Sequence, residues 1–174
     1  MKIFITNLGR YNEGYLVGKW VKLPVCEEVL DKVLKEIGID EYYEEYFITD
    51  YENEIIGIGD VISEYSSVQA LNELAQRLEE LSDDEADKLG AVLEYEACRS
   101  VSEVLELLDK LDEFDLLTDV TDDEELGYYY AEEYCCIDIP ESIQPYFDYE
   151  KFGRDVRLQS CCLYTSYGFL LDNR

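Results

Sequence analysis

Two long stretches of the chain contain many acidic residues and no lysine or arginine. Residues Glu36–Gln76 include 11 acids and no base, and residues Leu111–Glu150 include 14 acids and no base. The remaining residues hold 17 acids and 14 bases, so the two stretches carry nearly all of the net charge of −28. Self-repulsion of this size favours an extended shape over a sphere. The stretches form either a solvated acidic surface or a negative surface shaped for a positively charged groove.

The occurrence of a second stretch of the same kind favours the second interpretation, although the net charge spread evenly over a globule would be about threefold too dilute to resemble DNA. Duplex DNA carries one charge per roughly 1.7 Å of axis, so 28 charges correspond to about 14 base pairs. The two stretches also hold 11 of the 16 tyrosines. A tyrosine can cover apolar surface with its ring and keep its hydroxyl in water, without adding positive charge. The tyrosines expected among the carboxylates are Tyr42, Tyr43 and Tyr128, whereas Tyr130 and Tyr134 have the spacing of helix core residues.

Apolar residues make up 47% of the chain, which is enough to build a core. No apolar run approaches 18 residues, and the N-terminus lacks the features of a signal peptide. The expected location is therefore the cytoplasm, with no membrane contact. The six cysteines form no C-x-x-C and the chain has no histidine, so we expect small, buried, reduced cysteines and no structural zinc site.

The pattern of apolar residues predicts an α+β fold with three parts. They are an N-terminal α+β domain at residues 1–61, a helical middle domain at residues 62–110, and a C-terminal α+β domain at residues 111–174. In the first, alternation predicts strands at Lys2–Asn7 and Gly14–Leu23 and a strand at Tyr46–Asp50. Helical spacing predicts a helix over Cys26–Ile37, with Gly38 at its end.

Capping motifs and apolar stripes indicate the other elements. The middle domain has a stripe from Val68 to Leu78 and capping boxes that begin at Ser82 and Ser100. In the C-terminal domain, a strand is expected at Leu116–Val120 and further strands within Leu158–Leu171. Between them, Thr121-Asp122-Asp123-Glu124 predicts the start of a helix. On this helix the residues expected to face inward are Leu126, Tyr129, Tyr130 and Tyr134, and those expected to face outward are Asp122, Glu125 and Glu132.

The chain lacks the motifs of common catalytic and nucleotide-binding sites. There is no P-loop, no G-x-G-x-x-G and no G-x-S-x-G, and the commonest general base is missing because there is no histidine. Asp50 and the residues after it begin like a calcium-binding EF-hand but lack the glycine and glutamate that the loop requires. We therefore expect no enzyme activity, no cofactor and no metal site. A carboxylate-based hydrolase stays an alternative, since carboxylate pairs are frequent.

Several segments resemble one known family, the ArdA-type antirestriction proteins. They follow in order across nearly the whole chain: Met1-Lys2-Ile3-Phe4-Ile5-Thr6-Asn7-Leu8-Gly9 with Tyr11-Asn12-Glu13-Gly14; Tyr43-Glu44-Glu45-Tyr46-Phe47-Ile48-Thr49-Asp50-Tyr51-Glu52; Glu125-Leu126-Gly127; and Tyr146-Phe147-Asp148-Tyr149-Glu150-Lys151-Phe152-Gly153-Arg154-Asp155. The middle of the chain, about Ser63 to Lys110, matches only in its helical character.

The resemblance implies an elongated, curved chain of three small domains that forms a homodimer and mimics bent B-form DNA. It implies a protein of mobile genetic elements that inhibits type I restriction-modification enzymes by occupying the DNA-binding groove of their specificity and modification subunits. Such a protein binds no nucleic acid itself. The alternative function is an acidic adaptor or chaperone for a basic protein partner.

The candidate partner-binding residues are the acids that would stand in for DNA phosphates. They are Asp40, Glu41, Glu44, Glu45, Asp50, Glu52, Glu54, Asp112, Glu113, Asp115, Asp119, Asp122, Asp123, Glu124, Glu125, Glu132 and Glu133.

Overall fold

The computed structural model describes residues 1–134, 137 and 139–174, and the fold is α+β, as predicted. The chain groups into two compact units. One contains Met1–Ala86 and Ala97–Asp109, and the other contains Asp87–Glu96 and Lys110–Arg174. The predicted division into three domains stays a prediction.

The first unit contains a three-stranded antiparallel sheet in the order β2-β1-β3. Its strands are β1 (Lys2–Asn7), β2 (Gly18–Lys22) and β3 (Tyr46–Glu52). Alternate residues of β1, including Ile3 and Ile5, are fully buried, as the alternating sequence predicted. Strand β3 lies at one edge of this sheet, so its exposed side chains can present charge to solvent.

Helices α1 (Leu8–Asn12) and α2 (Glu27–Glu36) flank this sheet, and buried Asn7 connects them. The Asn7 side chain accepts a hydrogen bond from the N–H of Arg10 at 2.9 Å. Its amide nitrogen donates to the carbonyl oxygens of Ile37 and Gly38, at 3.1 and 3.0 Å. Gly38 has φ +80°, the left-handed conformation that ends many helices, and this confirms its predicted place.

The helices of the middle sequence begin close to the predicted caps. They are α3 (Val68–Glu79), α4 (Asp83–Tyr95) and α5 (Val101–Leu108), and a short 3₁₀ helix, Ile58–Val61, precedes them. Ser82 and Glu85 form the predicted capping box, since the Ser82 N–H donates to the Glu85 carboxylate at 2.9 Å and Ser82 Oγ accepts from Glu85 N–H at 3.4 Å. Buried apolar residues of α3 and α5, including Leu71 and Val104, contribute to the core.

The second unit contains another antiparallel three-stranded sheet, in the order β4-β6-β5. Its strands are β4 (Phe114–Leu117), β5 (Cys162–Thr165) and β6 (Gly168–Asp172), and its helices are α6 (Asp123–Tyr128) and α7 (Tyr149–Gln159). Short 3₁₀ helices lie at Leu111–Glu113 and Gln144–Tyr146, and a π-helical turn, Tyr129–Tyr134, continues α6. The core beneath α6 consists of Val120, Leu126 and Phe169 with half-buried neighbours.

Several expectations for this part of the chain were wrong. Leu158 lies in α7 and not in a strand, and β4 begins and ends earlier than predicted. Tyr134 is exposed, because the π-helical turn after Tyr128 changes the phase of the helix and turns this residue away from the core. Cys26 and Cys161 are exposed rather than buried, while Cys135 and Cys136 lie outside the described residues.

Among the helices in the described part of the chain, none has both the length and the apolar character needed to cross a membrane.

Candidate functional site

The N-terminal acidic segment, Asp40–Glu54, lies on a turn and on the edge strand that follows it. Asp40, Glu41, Glu44 and Glu45 belong to the turn between α2 and β3, and Asp50 and Glu52 belong to β3 itself. Glu54 follows the strand. All seven candidate acids in this segment are exposed.

Hydrogen bonds within the turn fix its backbone. The Asp40 carboxylate accepts hydrogen bonds from the N–H groups of Tyr42 and Tyr43, at 2.8 and 3.0 Å. These two bonds lower the pKa of Asp40, so its negative charge is secured. The Tyr43 hydroxyl donates to Glu13 at 2.8 Å, which raises the pKa of Tyr43, and the Arg10 guanidinium lies 4.4 Å from the centre of the Tyr43 ring.

Gly9, in the first segment of the family resemblance, lies against Tyr43 of the acidic turn. A Cβ atom placed on Gly9 would overlap the Tyr43 ring. The ring therefore packs against the backbone of α1 only because position 9 has no side chain. Next to it, Tyr42 is 90% exposed and lines a shallow depression together with Glu41, Glu44 and Glu45.

One acid of the N-terminal acidic segment has a cationic partner from a distant part of the chain. Lys2 donates to Glu52 at 2.7 Å across the neighbouring strands β1 and β3. Both side chains are more than half exposed, so the pair is a weak surface salt bridge.

The C-terminal acidic segment, Asp112–Glu133, extends from the 3₁₀ helix before β4 to the π-helical turn. Asp115 lies on β4 and Asp119 in the turn that follows, while Asp122 precedes α6. The other candidate acids of this segment are Asp112 and Glu113 in the 3₁₀ helix, Asp123, Glu124 and Glu125 in the first turn of α6, and Glu132 and Glu133 in the π-helical turn. Nine of these ten candidate acids are exposed, and Asp123 is half-buried.

Two of these acids cap helix α6. The Asp122 carboxylate accepts the N–H of Glu125 at 2.9 Å, and the Glu125 carboxylate accepts the N–H and hydroxyl of Thr121 at 2.7 and 2.8 Å. The N-cap is therefore Asp122, one residue later than the predicted Thr121. Carboxylates in this first turn are stabilised by the positive end of the helix dipole, which offsets part of their mutual repulsion.

Asp123 is held inside the second unit by a cation and a phenol. Arg157 of α7 donates to both Asp123 oxygens, from Nε at 2.7 Å and from a terminal nitrogen at 2.9 Å, and the Tyr164 hydroxyl donates at 2.9 Å. The Arg157 hydrogen bond lowers the pKa of Asp123, while burial and the hydrogen bond to Asp123 raise the pKa of Tyr164. The charge of Asp123 is thus balanced within the protein, unlike the charges of its exposed neighbours.

Two glycines allow α6 and α7 to cross with their backbones in contact. A Cβ on Gly127 would overlap the carbonyl oxygen of Tyr149, and a Cβ on Gly153 would overlap the carbonyl oxygen of Asp123. Because the opposing atoms belong to the backbone, they cannot swing aside as a side chain would. The glycine of the Glu125-Leu126-Gly127 segment is therefore required for packing.

Tyrosines connect the π-helical turn to α7. The Tyr149 hydroxyl donates to Glu132 at 2.7 Å, and the Gln144 amide donates to the same carboxylate at 3.2 Å. The bond to Glu132 raises the pKa of Tyr149. The rings of Tyr128 and Tyr149 are stacked, with centroids 3.8 Å apart and an interplanar angle of 15°.

The prediction from sequence missed the residues of α7 and β5 that complete this site. Arg157 and Tyr164 bind Asp123, and exposed Glu150 lines the same depression as Asp122 and Glu124. Asp148, which caps α7 by accepting the N–H of Lys151 at 3.0 Å, was the signal that could have identified this helix.

Within the described residues, no group of three or more cysteines or carboxylates is placed to hold a metal ion. The geometry of the described acids instead supports binding to cations through an exposed surface. Exposed carboxylates accept hydrogen bonds from arginine and lysine, and an array of them attracts a positively charged partner over distances of about 10 Å at moderate salt.

The fold and the two acidic segments define an acidic α+β protein that exposes nearly all of its candidate carboxylates. A family model described as antirestriction protein (ArdA) matches residues 3–170. The chain therefore belongs to the ArdA family of antirestriction proteins, which confirms the resemblance. No match was found among curated proteins. Membership implies an antirestriction function, exerted through interaction with restriction enzymes.

Proposed function

We propose that the protein is a DNA mimic that occupies the DNA-binding groove of a type I restriction-modification enzyme. The observation that carries the proposal is the exposure of 16 of the 17 candidate acids, on two segments that contain no base. Arginine and lysine side chains that hold phosphates in the groove would meet carboxylates instead. The specificity and modification subunits, which together form the groove, are the proposed partners.

The carboxylates act as a sum rather than as individual contacts. A single exposed ion pair contributes at most about 1 kcal/mol, whereas the field of many charges adds over the surface. Inhibition should therefore weaken as salt increases, in the manner of DNA binding.

The proposal includes an elongated three-domain arrangement and a homodimer. By the charge count, one copy corresponds to about 14 base pairs and two copies to about 28. Analytical ultracentrifugation at micromolar concentration tests both parts, since it gives the mass and the frictional ratio. A compact monomer at that concentration would remove this part of the proposal.

The decisive experiment is a cleavage assay with a type I enzyme, unmodified DNA and the purified protein. The test variant replaces Glu41, Glu44 and Glu45 with glutamine. The matched control replaces Glu79, Glu80 and Asp87, which are exposed acids outside both segments, with the corresponding amides. Both variants change the net charge equally, so a larger loss of inhibition in the test variant identifies the segment itself.

Competition separates mimicry from the alternative function. A DNA mimic and duplex DNA must exclude each other from the enzyme, so added non-cleavable duplex should displace the bound protein in a direct binding assay. An acidic adaptor for a basic protein would bind its partner without this competition. Equal binding of the protein to the enzyme at low and high duplex concentration would therefore contradict the proposal.

A further inference from the structure

Tyr149, an uncharged residue of α7, contacts the C-terminal acidic segment at three places. Its carbonyl oxygen lies where a Cβ on Gly127 would be. Its ring stacks on that of Tyr128, with centroids 3.8 Å apart, and its hydroxyl donates to Glu132 at 2.7 Å. Gly127 and Tyr128 are the last two residues of α6, whereas Glu132 belongs to the π-helical turn that follows. Tyr149 therefore contacts both sides of the junction at which the helix changes from α to π.

The π-helical turn, Tyr129–Tyr134, determines the direction of two candidate acids. Turns of this kind are rare and occur mostly as short insertions in α-helices. Within the turn Ala131 is fully buried, and the three residues after it, Glu132, Glu133 and Tyr134, are exposed. A return to α-helical hydrogen bonding would rotate these residues about the helix axis. The direction of the carboxylates thus depends on the contacts that hold the turn.

The Glu132 carboxylate is held through one of its two oxygens. Both hydrogen bonds that the described residues make to it go to Oε1, from the Tyr149 hydroxyl at 2.7 Å and from the Gln144 amide at 3.2 Å. Glu132 is nevertheless exposed, so Oε2 is left to accept a hydrogen bond from an arginine or lysine of a partner. A side chain that is ordered before binding loses less entropy when the partner arrives.

Tyr149 is itself fixed in place. It is 6% exposed and is the first residue of α7, directly after the capping residue Asp148. The Phe147 ring packs edge-on against it, with centroids 4.7 Å apart. The hydrogen bond to Glu132 raises the pKa of Tyr149, so the hydroxyl keeps its proton and donates at neutral pH.

We propose that Tyr149 is a positioning residue of the inhibitory surface, which acts by holding the Glu132 carboxylate in the direction in which it meets the partner. The proposal rests on the function proposed above and adds an uncharged residue to the set of acids. Tyr149→Phe keeps the stacked ring and the net charge but removes the hydroxyl. It should raise the protein concentration for half-inhibition about two- to fivefold, between the cost of ordering one side chain and the full contribution of one exposed ion pair.

A double-mutant cycle in the cleavage assay shows whether Tyr149 acts through Glu132. Tyr149→Phe should weaken inhibition by the otherwise unchanged protein and have no further effect in the Glu132→Ala background. A purely structural role would weaken inhibition equally in both backgrounds, and that result would overturn the proposal. Tyr146→Phe is the matched control, because it removes a hydroxyl from a tyrosine that is 84% exposed. An equal loss of inhibition with this control would also count against the proposal.

Hydrogen exchange of the free protein, followed by nuclear magnetic resonance, tests the positioning without any enzyme. Amides of the π-helical turn should exchange about fivefold faster in Tyr149→Phe than in wild type, as expected for the loss of one hydrogen bond. Amides of α3, in the first unit, should be unchanged. Unchanged exchange in the turn, or equally faster exchange in α3, would contradict the proposal. If wild type failed to inhibit the enzyme, the proposed function would be wrong, yet the exchange rates would still show whether Tyr149 holds the turn.

Discussion

The two acidic segments carry similar charge but are held by different kinds of structure. The N-terminal acidic segment lies on a turn and an edge strand, where Asp40 bonds to its own turn and Lys2 reaches Glu52 at the surface. The C-terminal acidic segment is built around α6. There, Arg157 binds Asp123 and the backbone of α7 touches that of α6 at two glycines.

The two segments therefore differ in whether the residues that carry the charge are also the residues that hold it in position. In the N-terminal acidic segment the acids are held by exposed hydrogen bonds and ion pairs, so a substitution of an acid should change charge with little effect on stability. In the C-terminal acidic segment, non-acidic residues far along the chain position the acids. Substitutions at Gly153 or Arg157 should therefore disturb the acidic surface without removing any of its carboxylates.

Gly153→Ala should have the largest effect on stability. Alanine favours a helix over glycine by up to about 1 kcal/mol, but its methyl group would overlap the Asp123 carbonyl oxygen, which cannot move alone. Overpacking against backbone costs about 3 kcal/mol, so the steric term wins. Urea denaturation should show a lower midpoint by an amount that corresponds to a net loss of about 2 kcal/mol.

Gly9→Ala is the matching change in the first unit. Its methyl group would overlap the Tyr43 ring, and this half-exposed side chain can turn away. We expect a loss below about 1 kcal/mol, since the gain in helix propensity offsets part of the displacement. Equal losses for the Gly9 and Gly153 variants would contradict the proposed difference between the two segments.

After Gly153→Ala, Asp123→Ala should cause the next largest loss of stability. It removes two hydrogen bonds from Arg157 and one from Tyr164. Charged hydrogen bonds contribute more than neutral ones, but partial exposure limits the loss to about 1–2 kcal/mol. Glu52→Ala removes the exposed pair with Lys2 and should cost at most a few tenths of a kcal/mol. Thermal unfolding of both variants and of wild type measures the difference between these two losses of stability.

The contribution of Asp123 should depend on pH. Its pKa in the folded protein lies below the ordinary value near 3.8, mainly because of the hydrogen bond from Arg157. A group whose pKa falls on folding stabilises the protein above its unfolded pKa and loses that contribution as pH drops through the folded value. The stability difference between wild type and Asp123→Ala should be complete at pH 7 and shrink below about pH 4. A difference that stays constant down to pH 2.5 would show that charge is not its source.

Local patterns in the sequence were sufficient to predict the elements that depend on local interactions. Strand β1 was predicted with its observed bounds, Lys2–Asn7, because alternation alone determines which residues it buries. The starts of α3 and α4 were predicted from an apolar stripe and from Ser82. The exposure of nearly all candidate acids also follows from the sequence, since unpaired carboxylates are rarely buried.

Elements that depend on distant contacts could not be predicted in this way. Gly153 lowers the helix propensity in the middle of α7 and hides the helix from a local analysis. A glycine is needed at position 153 because α7 crosses α6 there with the backbones in contact, close to Gly127, which lies 26 residues earlier in the chain. The internal neutralisation of Asp123 is similar, because Arg157 is remote in sequence and the segment around Asp123 contains no base.

The smallest predicted effects are those of single amide substitutions at exposed acids. Glu124→Gln and Glu44→Gln each remove one charge from a field of many, and an exposed pair contributes at most about 1 kcal/mol. Half-inhibition should therefore shift by less than about fivefold in each case, at low salt, and by less at high salt. For a summed field, the double variant should equal the sum of the two free-energy changes. If either single change abolished inhibition, that carboxylate would make a specific contact, and a collective mimic of the phosphate backbone would no longer describe the surface. Measuring both singles, the double and wild type in one cleavage assay at two salt concentrations decides between a summed field and a specific contact.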